Sequence, residues 1–429
     1  MLHQLLLSQT VRSATIATFV CLSISAIAYA SEPTKTWSRF RGENAVGLVE
    51  SCNVPLPWTQ KDVAWEIKPP GIGNGSPIVH GNRIFLMSAD PRSAERYMLA
   101  YDLSTGKELW RVTKNSTPHH LHRRSSYASC TPCVNDDFVY FCWADPEHVF
   151  LTALTHDGNE AWTNDLGPYI SQHGFGASPA LFGDVVILFN SQQGEQLPPG
   201  KAPGESKIYA FDAKSGETIW ETPRTTTRVC YGLPSLYRTD DGKNALLFSN
   251  TGDGLFALEL ETGKPIWNRK VFKKRCVSCP LVIGNLAIGT EGSGGGGNVL
   301  WGVSLTGDHD IKIRVQSAAP YVPTPVASDE FLYLWDDKGI VTCLRIEDSK
   351  VMWKERIGGN VSSSPVIAGG RLVGIAEDGT VTILAASASF RELGVVKLED
   401  TTRATPLVAD DFILFRTDGK LLCVGDPKS

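Results

Sequence analysis

The stretch Leu99-Ala100-Tyr101-Asp102-Leu103-Ser104-Thr105-Gly106-Lys107-Glu108-Leu109-Trp110 decides the fold: an apolar strand, an Asp, a Gly turn, then a Trp. The same unit returns as Tyr209-Ala210-Phe211-Asp212-Ala213-Lys214-Ser215-Gly216-Glu217-Thr218-Ile219-Trp220, and again from Phe256 through Gly263 to Trp267. Weaker copies end at Trp162 and Trp353, and two more, Val303 to Val315 and Ile383 to Val395, have lost the Trp. Self-similarity of this kind is the signature of a repeat architecture.

A second marker lies upstream of each unit: an x-Pro pair, usually Ser-Pro or Thr-Pro, opening an apolar run that breaks at a Gly, Asn or Asp turn. The prolines are Pro77, Pro132, Pro179, Pro234, Pro280, Pro325, Pro365 and Pro406, spaced by 40 to 55 residues. That spacing suits four short strands and their turns, and proline suits a first strand position where no ladder donor is needed. In the last complete unit the period places strands over 364–368, 371–376 and 381–385, separated by Gly369-Gly370 and Asp378-Gly379. No amphipathic segment of helical length intervenes, which excludes a βαβ fold. The expected fold is all-β: an eight-bladed β-propeller of four-stranded antiparallel blades.

Closure follows from the two ends. The last unit stops after a third strand near Leu421 to Val424, while Val63-Ala64-Trp65-Glu66-Ile67 is an orphan fourth strand before the first Pro marker. Pairing them removes an open edge that would template aggregation, so deletion of residues 31 to 70 is expected to yield insoluble protein. The expected organisation is a leader over 1–30, an extension over 31–62, the propeller over 63–426 and a tail over 427–429. Trp65, Trp110, Trp162, Trp220, Trp267 and Trp353 are expected to dock adjacent blades, each offering apolar area and one N–H donor.

The first thirty residues carry one basic residue, Arg12, an apolar run from Ala14 to Ile27, and Ala28-Tyr29-Ala30 before Ser31, the pattern of a secretory signal peptide cleaved after Ala30. The run is shorter than a membrane span, and Thr18-Phe19-Val20 before Cys21 makes a poor lipoprotein box. The expected product is an exported monomer, periplasmic or extracellular, without a transmembrane segment. Removing Arg12 moves the formal charge from -5 to -6, spread without long single-sign runs, which argues against nucleic-acid binding.

Ten cysteines, one of them in the leader, leave an odd number, so at least one thiol stays free. Cys130-Thr131-Pro132-Cys133 and Cys276-Val277-Ser278-Cys279 have redox-pair or half-zinc spacing. Both fall where a repeat strand begins, and equivalent positions hold Ser, Ala or Val, so they are read as small buried strand residues.

Two motifs together resemble a known family. Ala-x-Asp-x-x-Thr-Gly-x-x-x-Trp, at Ala100 to Trp110 and nearly intact at Ala210 to Trp220, is similar to the docking repeat of pyrroloquinoline quinone enzymes and their non-enzymatic relatives. Trp37-Ser38-Arg39-Phe40-Arg41-Gly42, Tyr321-Val322-Pro323-Thr324-Pro325, and Phe415-Arg416-Thr417 to Cys423-Val424-Gly425 look like secreted single-domain PQQ-like propellers of planctomycete-type bacteria. The same repeat occurs in the lipoprotein that assists outer-membrane barrel assembly. In the dehydrogenase branch the resemblance implies a quinone in the funnel beside calcium or a lanthanide, over a Trp floor and under a disulfide of adjacent cysteines, with an Asp as base. This sequence has no Cys-Cys pair and no Cys-x-x-Cys-His haem motif. A repeat fixes a fold, whereas function resides in sites.

Segments preceding the Pro markers lie at the channel mouth of a propeller, and here they gather bases and aromatics: His119, His120, His122, Arg123, Arg124 and Tyr127; Gln172, His173 and Phe175; Arg228 and Tyr231; Lys273, Lys274 and Arg275; Tyr321; Arg403. Guanidinium groups hold carboxylate or phosphate bidentately and aromatics stack on rings, so His119, His120, His122, Arg124, Tyr127, His173, Arg228, Tyr231, Arg275, Tyr321 and Arg403 are the candidate ligand-binding set. Three histidines in four residues rarely converge on one ion without a carboxylate from elsewhere, so no metal site is expected. Asp253-Gly254, Asp336-Asp337-Lys338-Gly339, Asp378-Gly379 and Asp418-Gly419 are hairpin turns, and Gly292 to Gly297 is a mobile insert without a following helix to make it a phosphate loop.

No catalytic residues emerge, and no nucleophile elbow or Walker loop is present. The leading expectation is a non-enzymatic exported propeller that binds a protein, carbohydrate or other ligand at its mouth, with no cofactor. The alternatives are a quinoprotein oxidoreductase of alcohols or sugars, using pyrroloquinoline quinone with calcium, and an envelope or outer-membrane assembly scaffold.

Overall fold

A computed structural model describes residues 36–197, 199–328 and 330–428, so the expected leader lies outside the described residues. Eight four-stranded antiparallel blades follow one another, seven of them meanders of consecutive strands and the eighth completed from the N-terminal side, and the only helical elements among the described residues are two single turns. The protein is an eight-bladed β-propeller. In blade 7 the expected strands over 364–368, 371–376 and 381–385 appear as Val366–Ala368, Arg371–Ile375 and Thr380–Ala385, with Glu392–Lys397 outermost. The middle strands are almost continuously buried because neighbouring blades cover both their faces, as in Phe138–Ala144, while outer strands such as Glu108–Lys114 alternate.

Ring closure is backbone pairing between the ends. Val63–Ile67 lies antiparallel to Leu421–Gly425, with Trp65 opposite Cys423 and Ile67 opposite Leu421, and supplies the fourth strand of blade 8. Side chains add a second fastening between blades. Trp65, Trp110, Trp162, Trp220 and Trp353 each donate an indole N–H to a carbonyl of the next blade, at 2.7 to 3.1 Å. The rings of Trp65, Trp110, Trp162 and Trp220 rest on the turn glycine of that blade, whereas Trp353 packs against Phe390: a Cβ on Gly216 would come within 2.6 Å of Trp162, and Gly216 has φ +75°. Gly106, Gly216 and Gly263 of the Thr-Gly and Ser-Gly turns are therefore required twice, for the backbone and for the room they leave. Trp267 differs, donating to the Tyr237 hydroxyl of its own blade at 2.7 Å and stacking on His309 of the next.

The marker residues form a hydrogen-bonded waist around the channel. At six of the eight markers the residue before Pro gives its amide to the side chain of its counterpart in the next blade: Ser76 to Thr131, Thr131 to Ser178, Cys279 to Thr324, Thr324 to Ser364, and Ser364 to Thr405, all at 2.9 to 3.0 Å. At the sixth, Leu233 gives its amide to the Cys279 sulfur at 3.3 Å. Ser or Thr recurs before proline because a buried amide there needs an acceptor. Cys279 stands in for a hydroxyl, which accounts physically for one half of its Cys-x-x-Cys spacing.

The N-terminal extension crosses the channel beyond this waist. Thr36–Trp37 pairs with blade 1, the Ser38 carbonyl accepts from Val134 of blade 2, and the Arg39 guanidinium lies 4.3 Å from the Phe182 ring of blade 3. Asn44 exchanges two hydrogen bonds with Leu236 of blade 4, and Leu48–Val49 runs parallel to Ile367–Ala368 of blade 7. Fully buried Arg41 donates to the carbonyls of Ala45, Val46, Thr324, Pro325 and Pro365. Trp37, Arg39, Arg41 and Ala45 are all buried, so this end of the channel is stopped by the chain itself.

Candidate functional site

With one end stopped, the channel is a cup that opens among the segments preceding the Pro markers. Its wall follows one rule of register. The third residue before every marker proline lines a single cavity of about 320 Å³: Asn74, Ser129, Gly176, Tyr231, Val277, Val322, Ser362 and Arg403, one from each blade. His122, Arg124, His173, Phe175, Arg275 and Tyr321 complete the charged and aromatic lining.

Charge in the cup is unbalanced. Glu377 is shared by Arg124 and Arg403, at 3.5 and 3.4 Å, and accepts the Ser362 hydroxyl at 2.6 Å. Arg275, only 4% exposed, makes no ion pair among the described residues; Arg228, expected at the rim, lines neither the cup nor its adjoining groove, makes no ion pair among the described residues and donates to the Gln172 side-chain oxygen at 3.3 Å. The Nε atoms of Arg228, Arg275 and Arg403 and the Nδ1 of His173 are buried without a partner. Leaving buried donors unpaired costs free energy that a bound acceptor recovers. Burial, with Arg275, His122 and Arg228 close by, pushes His173 down to about 4, and burial with the neighbouring arginines lowers His122. Burial raises Tyr321, and pushes Tyr231 up to about 12, so both remain neutral phenols that offer a hydroxyl and a ring face.

His119 and His120 do not enter the cup. They line a larger adjoining groove of about 970 Å³ with Tyr169, Gln172 and Lys201, which meets the cup at His122, His173 and Gly174. Tyr127 lines neither: its hydroxyl accepts the His119 amide and donates to the His119 carbonyl, at 3.0 and 2.8 Å. The glycine insert is fastened by Lys274, whose ammonium donates to the Gly296 and Gly297 carbonyls at 2.9 Å each, and Gly294 lines the cup. Asp337 is more than a turn residue. Its carboxylate accepts the amides of Tyr321 at 2.7 Å and Val322 at 3.1 Å, clasping the segment that presents Tyr321. A hairpin position gave no sequence sign of that reach.

The donor set meets only part of what a metal-supported quinone requires. Carboxylates of such a group would find counter-charges here, but among the described residues no three His, Cys, Asp or Glu side chains converge to hold an ion. Glu377 is already taken by two arginines, and no indole lines the cavity. The residues present fit an anion and do not fit a quinone with its metal.

Comparison with known proteins places this architecture among relatives. A family model described as outer membrane protein assembly factor BamB matches residues 58–231, 204–295 and 292–424. The chain is 25% identical over 389 residues to the outer membrane protein assembly factor BamB of Burkholderia pseudomallei, covering 77% of this chain and 91% of that protein. Among solved structures, BamB from Moraxella catarrhalis superposes with a TM-score of 0.60 at 15% identity, over 85% of this chain and 99% of that one. A europium-containing methanol dehydrogenase superposes with a TM-score of 0.64 at 12% identity, over 90% of each chain. At these identities the structural likenesses speak for the fold alone.

Proposed function

The chain belongs to the propeller family described as outer membrane protein assembly factor BamB, and from that premise we propose that it is a non-catalytic binding propeller of the cell envelope. It takes an acidic segment of a partner protein into the mouth of its channel. The observation that carries this reading is the trio of arginines in the cup lining, Arg124, Arg275 and Arg403, of which Glu377 pairs with Arg124 and Arg403 while Arg275 stays buried with its Nε unpaired. Arginine forks hold carboxylates in a fixed plane, the tyrosine faces accept the flanking side chains, and the stopped channel gives the segment a floor. The assembly-factor name borne by the Burkholderia relative supports a protein partner. Export with cleavage after Ala30 is part of the proposal.

The test is calorimetric titration of the protein lacking residues 1–30 with a hexaglutamate peptide, an oligogalacturonate and glucose. Binding of the peptide, weakened by salt and by Arg228→Ala or Arg403→Ala, is the expected result. Preference for the uronate would transfer the site to acidic glycans. Dye-linked alcohol oxidation after loading with pyrroloquinoline quinone and calcium would overturn the non-catalytic reading.

A further inference from the structure

Cys230 and Cys276 occupy the same place in successive blades, the fourth residue before marker prolines Pro234 and Pro280. Both are buried, at 1% and 0% exposure, in one apolar cluster with Val271 and Phe272. They face each other across the interface between blades 4 and 5, near enough to interact, while Cys230 turns its thiol proton to the Arg228 carbonyl at 3.4 Å and Cys276 to the Lys274 carbonyl at 3.9 Å. The three cysteines of blade 2 belong to one blade, with Cys133 and Cys142 on its paired strands, and so offer no bridge between blades.

We propose that Cys230 and Cys276 are a disulfide site, an interblade bridge closed by exchange with a small disulfide oxidant. The Cys230 thiolate attacks the oxidant's S–S bond, forming a mixed disulfide and releasing one thiolate. The Cys276 thiolate then attacks the Cys230 sulfur, closing the bridge and expelling the second. Two protons leave the cysteines, and two electrons reduce the oxidant to two thiols. Both sulfurs are buried, so exchange runs while blade 5 is still docking on blade 4, or during transient opening. Burial by itself raises the Cys230 thiol, but the adjacent Cys276 thiol and backbone contacts bring it below the usual thiol value, while Cys276 is held well above. That asymmetry makes Cys230 the attacking sulfur.

The bridge pairs two of nine thiols in the described chain and leaves seven free. Arg275, in the cup lining, immediately precedes Cys276, and Arg228, behind that lining, lies two residues before Cys230, so the bridge pins the two arginines without ion pairs to each other. This consequence rests on the anion-binding reading above; the bridge does not.

The protein lacking residues 1–30 is refolded in reduced and oxidised glutathione, denatured in alkylating reagent without reductant, and mapped by peptide mass. A peptide pair joining Cys230 to Cys276, lost on reduction, with the other cysteines alkylated, is the expected result. Reduction of the folded protein, and Cys276→Ser, are expected to lower its melting temperature by several degrees. Alkylation of both cysteines after equilibration with oxidised glutathione, or linkage of Cys230 to any other cysteine, would overturn the proposal. The wild-type map decides even if Cys276→Ser does not fold. Equal hexaglutamate affinity in the bridged and reduced proteins would overturn the pinning of the cup and leave the bridge standing.

Discussion

Trp65, in the strand that completes the last blade, donates its indole N–H to the carbonyl of Leu103 in the first blade, 2.8 Å away, and its ring packs on Gly106. The ring is thus closed twice, by the backbone pairing of Trp65 with Cys423 inside blade 8 and by this side chain reaching across to blade 1. Trp65→Ala removes half-buried ring area as well as the donor and should cost about 2–3 kcal/mol, whereas Trp65→Phe keeps most of the area and should cost about 1 kcal/mol. Denaturant titration checks both. Equal stability of all three proteins would mean that backbone pairing alone closes the ring.

Arg41 holds the stopper in place through five carbonyl acceptors, drawn from its own segment and from blades 6 and 7. Arg41→Met fills similar space without any donor, so the loss, about 2–4 kcal/mol, reports the unpaired carbonyls. Arg41→Lys is expected to recover little, because one ammonium cannot span acceptors set for a planar fork. A methionine variant as stable as the parent would show that the apolar contacts of Trp37 and Ala45 hold the extension alone.

Thr324 both receives the Cys279 amide and gives its own amide to Ser364, so it links three blades at the waist. Thr324→Val preserves shape and deletes one acceptor, leaving the Cys279 N–H buried and unpaired. A loss of about 1–3 kcal/mol is expected, measured by thermal or chemical unfolding, while Thr324→Ser should be close to neutral.

His173 gives stability a pH dependence of definite sign. Its value falls from an ordinary 6.5 to about 4 in the folded protein, chiefly by burial and then by Arg275. Above about pH 6.5 both folded and unfolded states hold it neutral and it contributes nothing to the slope. As pH falls from there towards about 4 the unfolded state takes up the proton first, so stability declines and then levels off. His173→Gln should flatten that part of the curve. An anion in the cup relieves the repulsion, so its affinity should rise over the same pH interval. A wild-type curve parallel to that of the glutamine variant would refute the assignment.

Much of this was legible in the sequence because repeats average out local noise. The eight Pro markers placed every blade, and the orphan strand around Trp65 was recognisable as the missing member of a unit that ended near Val424. The same markers locate the cup wall, since one register position from every blade meets there. The stopper escaped notice for a physical reason: Arg41 and Asn44 act through contacts with residues hundreds of positions away, and no period announces them. Asp337 shared a turn pattern with Asp253 and Asp378, and only the fold shows that it reaches the Tyr321 amide. That Glu377 neutralises Arg124 and Arg403 but leaves Arg275 unpaired depends on distances between blades 2, 5, 7 and 8, which no spacing along the chain encodes.

The most direct measurement is the affinity of hexaglutamate for the parent protein and for Arg275→Met, by calorimetry at low and at moderate salt. Loss of a buried, charge-assisted contact should weaken binding at least about tenfold, equivalent to about 1.4 kcal/mol, and should reduce the salt dependence. Equal affinity in the two proteins, or no binding by the parent at low salt, would contradict the claim that this cup captures acidic groups.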